Sequence, residues 1–267
     1  MKSLILDARQ DAGFEARFQA ALDVARASKG HLTCVFASPF STAMAMGDAL
    51  GAAEILRLAA EQEDKARVAI EARMAHEDVS WDYIASQDDP ARALVRRAAL
   101  SDLVVMSHPP QGKGGRMEEG LISDVIMGAR TPVAVLPAAA HHFDITGSAA
   151  IAWNGSIEAA FALKSALPLL RHAASVHVIG VDDVPESRLS LNEAAEYLSR
   201  HGIVPEVMQR PAGHAGIIPA ILDAVGECQA RYLVMGAFGH NRIREYWFGG
   251  VTRDMIERLP MPLVFMH

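Results

Sequence analysis

The residues with the clearest chemistry lie near the end of the chain, in Val234-Met235-Gly236-Ala237-Phe238-Gly239, followed by residues 240 to 248 and then Gly249-Gly250-Val251-Thr252. The spacing is G-x2-G-x9-G-G-x-T, and the chemistry it suits is phosphate binding. Gly236 and Gly239 let the backbone turn sharply and admit a ligand with no Cβ in its way. Gly249 and Gly250 present bare amide N–H groups at a helix start, where unpaired donors and the positive end of the helix dipole favour an anion. Thr252 adds a hydroxyl in the first turn, and Met235 and Val251 flank the loop. Arg242 and Arg244 either neutralise phosphate charge or belong to a solvated loop. Tyr246, Trp247 and Phe248 read as packing residues rather than as a base-stacking platform. A lone G-x-x-G would be only a turn; four glycines and a threonine after a strand make a site.

Such a loop needs a strand before it and a helix after it, and the sequence supplies both, twice. Short apolar runs at 4–6, 31–36, 81–85, 103–106 and 133–136 alternate with helical periodicity over 14–28, 49–76, 90–100 and 117–127. This is the pattern of a parallel sheet with crossover helices. The order repeats with strands at 149–153, 175–181, 204–210, 232–235 and 263–266. Ser107, Pro110, Gly120 and Ser123 precede Gly236, Gly239, Gly249 and Thr252 by 129 residues in every pair. The expected organisation is therefore two α/β domains, 1–142 and 143–267, divided at the small and polar stretch Ala138 to His142. From Asp7 to Ser107 the first copy spans 100 residues, against 82 from Asn154 to Gly236. Its extra length is assigned to Ser38–Gly51 and the long helix that follows, as a surface connection or, alternatively, a flap or oligomer arm.

The first copy keeps the frame and loses the chemistry. Ser107 and Pro110 replace the first two glycines, Pro110 has no N–H to donate, and Leu121 follows Gly120 where a phosphate contact is needed. Gln111-Gly112-Lys113-Gly114-Gly115-Arg116 is basic, but a degenerate site is the better reading.

Composition narrows the function classes. The 267 residues are 51% hydrophobic, with 25 Lys plus Arg against 32 Asp plus Glu, a net charge of −7. That charge opposes a nucleic-acid or anionic-membrane surface. No uncharged apolar run approaches the ~18 residues of a membrane span, and Asp7 arrives too early for a signal-peptide core, so a cytoplasmic protein is expected. Cys34 and Cys228 lack a CxxC partner and read as small buried hydrophobes. The eleven histidines, His141-His142 included, show no HxxxH or HExxH spacing. Neither a GxxxxGK[ST] loop nor a GxSxG elbow occurs. Asp88-Asp89 and Asp182-Asp183 read as turn or cap residues, with Asp182 or Asp183 the alternative contact for a magnesium ion on nucleotide phosphates.

At its glycine loop and in its duplication the chain resembles the universal stress protein family in its tandem, two-domain form. The family pattern, G-x2-G-x9-G followed by Ser or Thr, marks members that bind ATP; here Gly250 stands where the hydroxyl residue is expected. The resemblance implies ATP, with ADP or AMP as alternatives, and Mg2+ carried on the phosphates. It implies that Ala152-Trp153-Asn154 and Val181 hold the adenine end, with Asn154 in place of the usual Asp; by its residue type Asn154 also suits a helix N-cap. Asp7 matches the family acid in the first copy. Two Rossmann-like domains follow, each a five-stranded parallel sheet of order 3-2-1-4-5 between helices, joined through their last strands, and two such chains associate into a homo-oligomer. The function implied is a nucleotide-dependent change of conformation or partner in a stress response. The rival is a nucleotide-independent scaffold or small-molecule carrier using Met44 and Met46 of the insertion. No general base is evident, so a slow ATPase is the most that catalysis could amount to.

Overall fold

The computed structural model describes residues 1–37, 49–108, 116–239, 250–258 and 260–267. Ser38–Asp48 with Met44 and Met46, residues 109–115 with Pro110, residues 240–249 with Arg242, Arg244 and Gly249, and Leu259 lie outside the described residues.

The first half runs β1 (Ser3–Asp7), α1 (Phe14–Ser28), β2 (His31–Ala37), α2 (Ala49–Met74), β3 (Ser80–Ser86), α3 (Pro90–Ala98), β4 (Leu103–His108), α4 (Arg116–Gly128) and β5 (Val133–Pro137). The second runs β6 (Ser148–Trp153), α5 (Ile157–Leu170), β7 (Ser175–Val181), α6 (Leu191–Arg200), β8 (Glu206–Arg210), α7 (Ile217–Glu227), β9 (Tyr232–Gly236), α8 (Gly250–Arg258) and β10 (Leu263–Met266). All ten expected strands are present. The ten form one sheet in the order β3-β2-β1-β4-β5-β10-β9-β6-β7-β8, so each half has the order 3-2-1-4-5. Pairing is parallel within the halves and antiparallel between β5 and β10, with Leu263 opposite Val135 and Phe265 opposite Val133.

Strands in the middle of such a sheet are buried on both faces, which is why they read as continuous apolar runs. Leu103 and Val105 of β4 face one core with Phe18, Leu22 and Ile70; Val104 and Met106 face the other with Leu94, Val125 and Ile126. Helices α1, α2, α5 and α6 cover the first face, and α3, α4, α7 and α8 the second. Asp89 caps α3, accepting from the amides of Ala91 and Arg92. Helix α2 has 26 residues against 10 in α6, which locates much of the first half's extra length. Among the described residues no helix is long and apolar enough to cross a membrane.

The 138–147 connection is no free tether. Phe143 and Ile145 are buried. The Phe143 amide donates to Asp23 Oδ2 at 2.9 Å, and its ring meets Tyr232 edge-on at 5.5 Å between centroids. Cys34 is fully buried and burial pushes its thiol up to about 12, so it is inert at neutral pH; Cys228 is half-buried.

The central pairing carries a prediction. Phe265 is fully buried beside the β5–β10 seam, so Phe265→Ala is expected to lower the unfolding free energy by about 3–5 kcal/mol, read from urea titrations of both proteins.

Candidate functional site

In an open α/β sheet, ligands bind beyond the carboxyl ends of the strands where the strand order reverses. In the second half that point lies between β6 and β9, since the chain leaves β6 toward β7 on one side and reaches β9 on the other. Ala152 sits opposite Met235 of β9 and Ile179 of β7, so Ala152, Val181, Met235 and Gly236 gather at adjacent strand ends. Ala152, Val181, Met235, Phe238 and Val251 share one apolar cluster. The loop after β9 closes on α8 through the Phe238 amide, which donates to Thr252 Oγ1 at 3.4 Å, and Thr252 is 5% exposed. Its hydroxyl thus already accepts one bond from the loop.

Trp153 turns to the opposite face, where its ring is buried and Nε1 donates to the Leu189 carbonyl at 3.0 Å. Only its backbone reaches the strand-end region. Asn154 is exposed, and its Oδ1 accepts from the Ser156 amide at 3.1 Å. The cap of α5 is Ser156, whose hydroxyl accepts from Ala159 N, so Asn154 supports the cap instead of being it. Asp182, at φ 57°, accepts from Ala212 N, and Asp183 accepts from Gln209 Nε2. Both carboxylates are engaged in the β7–α6 and β8–α7 connections, not in helix caps.

The glycines of the loop separate into two kinds. A Cβ on Gly236 would lie 2.6 Å from Ala159 N and 2.7 Å from the Glu158 carbonyl carbon, because the first turn of α5 presses against the end of β9. Packing alone demands that glycine. Gly239 and Gly250 are different: among the described residues a Cβ on Gly239 would meet nothing nearer than the Glu158 carboxylate at 3.6 Å, one on Gly250 nothing within 4 Å, and neither has a positive φ. Glu158 is the residue the sequence reading missed. It is 6% exposed and carries a carboxylate beside Gly239. An acid two positions after a Ser N-cap looks like an ordinary dipole partner, so only the packing of α5 on β9 reveals it.

The first half is built differently at the same place. Leu6 pairs with Val105 and Ile151 with Val234; Val105 and Val234 are themselves 129 residues apart, so Asp7 stands at the position of Ala152. The counterpart of Asn154 is Asp11, whose Oδ1 accepts from Gly13 N at 2.8 Å. The match of Asp7 to the family acid is corrected accordingly, because the β1–α1 connection carries extra residues that displace the acid along the chain. Arg17 of α1, 1% exposed, fills this strand end. It donates to the Asp7 carbonyl at 2.6 Å, to Asp11 Oδ1 at 2.6 Å, to Ser107 Oγ at 2.8 Å and to the Arg9 carbonyl. Ser107 Oγ donates in turn to the Gly13 carbonyl at 2.9 Å, and a Cβ on Gly13 would meet that oxygen at 2.3 Å. The small residue has changed sides: glycine on the strand and serine on the helix in the second half, serine on the strand and glycine on the helix in the first.

Asp7 is buried beneath this network. Burial alone would push its carboxyl up, but Arg17 and the bidentate Arg9 outweigh it and hold the pKa below the ordinary carboxylate value. A depressed folded-state pKa stabilises the fold above the unfolded value and loses that contribution as pH falls through the folded one. Asp7→Asn is therefore expected to be less stable than the parent at neutral pH, with the gap closing below about pH 4, as read from thermal melts across pH.

No family profile and no curated protein matches the chain. Solved structures do. A universal stress protein from Archaeoglobus fulgidus superposes with a TM-score of 0.74 at 15% identity, covering 98% of this chain and 97% of that one. A Pseudomonas aeruginosa protein of unknown function gives 0.57 at 15% identity, covering 100% and 92%. Another from P. aeruginosa, described as a candidate universal stress protein, gives 0.54 at 16% identity, covering 99% and 91%. Over nearly its whole length, this chain has the fold of the universal stress protein structures.

Proposed function

We propose that the chain is a tandem universal stress protein that binds an adenine nucleotide in its second half, residues 143–267, and acts in a stress response through nucleotide-dependent conformation or partner binding. The observation that carries this reading is the bare backbone at Gly239 and Gly250, which neither packing among the described residues nor backbone conformation requires. Both glycines border the switch point of the sheet, and Gly250 opens a helix whose N-terminal donors suit phosphate. The spacing of the glycine loop supports ATP, with ADP and AMP as alternatives. The first half, 1–142, serves as a frame, since the Arg17 network fills its corresponding strand end. The reading includes association of two chains and a cytoplasmic location, and turnover no faster than a slow ATPase.

Isothermal calorimetry on ligand-stripped protein should show one ATP site per chain in the presence of magnesium. Gly239→Val is expected to abolish that heat and Pro110→Ala to leave it intact; absence of binding to the parent protein refutes the proposal.

The rival reading is a nucleotide-independent carrier or scaffold, favoured by Gly250 standing where the family pattern has a hydroxyl residue after the third glycine. Mass spectrometry of the ligand that co-purifies with fresh protein separates the two, an adenine nucleotide supporting the first and an apolar metabolite the second.

A further inference from the structure

The ten-stranded sheet ends at β3 on one side and at β8 on the other. Edge strands present a row of unpaired N–H and C=O groups that can template pairing with another chain. In β8 the Arg210 carbonyl accepts from Asp182 N, toward β7. Backbone groups alternate along a strand, so Arg210, Met208 and Glu206 bond inward while Val207 and Gln209 point their N–H and C=O groups out of the sheet. Val204, just before the strand, is 87% exposed and Val207 is 44% exposed.

We infer that two copies of this chain associate through antiparallel pairing of their β8 strands, centred on Met208. Charge selects this register. With Met208 opposite its own copy, Val207 faces Gln209 of the second copy through outward-pointing groups, and Glu206 faces Arg210 twice by symmetry. Sliding the pair by two residues either way, the smallest shift that keeps outward-pointing groups facing each other, puts Met208 opposite Glu206 or Arg210 and separates both ion pairs. Arg210 has an intrachain partner in Glu227 at 2.5 Å, and Glu206 lies 3.4 Å from His177, so both charged groups are already held near the edge. Pro205 and Pro211 bracket the strand and limit the shared ladder to these five residues. The opposite edge offers no such complement, since β3 carries one charge, Asp82. The isologous pairing joins two ten-stranded sheets across a two-fold axis.

This inference rests on the reading that the chain self-associates, and it deepens that reading by naming the surface. Sedimentation velocity on the full chain tests both. The parent is expected to be dimeric, Arg210→Glu to weaken the dimer about tenfold or more, and the double variant Glu206→Arg/Arg210→Glu to restore it, because the opposed charges are again unlike. Gln209→Pro removes an outward N–H without touching the β7 ladder and should also give monomer, with unchanged circular dichroism. A monomeric parent overturns self-association and this surface together. A dimeric parent that survives Arg210→Glu and Gln209→Pro, or a double variant that stays monomeric, overturns the β8 surface alone.

Discussion

The antiparallel pairing of β5 with β10 is the constraint on which the rest of the molecule depends. Each half ends in a short apolar strand that is fully buried in its central residues. Left as an edge, either strand would expose apolar side chains and unpaired backbone groups together. Pairing the two removes both liabilities and converts two five-stranded sheets into one of ten. It also fixes where ligands can sit. Strands are parallel within a half and reverse at the seam, so the carboxyl ends of the two halves point to opposite ends of the sheet. No single ligand can span both switch points, and the halves are free to diverge.

Their divergence follows from close packing at one spot, where the first turn of a helix presses on the end of a strand. The second half meets the demand with Gly236 on the strand, leaving Ser156 to cap α5. The first half puts Gly13 on the helix side and Ser107 on the strand. That exchange makes room for a hydroxyl, which Arg17 then engages together with Asp11 and two backbone carbonyls. A guanidinium so buried needs its charge and donors satisfied, and Asp7, Asp11 and Ser107 do this from within the chain. One half thereby spends its strand end on internal bonds, while the other keeps exposed glycine backbone.

The sequence by itself determined the element order and the duplication, because apolar runs, helical periodicity and a constant 129-residue offset are local properties of the chain; the strand order within each half was implied by the family resemblance, and the pairing of the sheet shows it. The sequence also placed Ala152, Val181, Met235 and Gly236 at strand ends, which the register bears out. What it could not show depends on which surfaces touch. Trp153 is committed to the Leu189 carbonyl, Asp7 lies at the register of Ala152, and Phe143 is embedded in what looks like a linker. Glu158 stands beside Gly239 only because α5 packs on β9. Gly236 and Gly239 look alike in the motif, yet among the described residues one is required by a backbone 2.6 Å away and the other is not. Periodicity records which face a residue takes; only tertiary packing decides what lies against it.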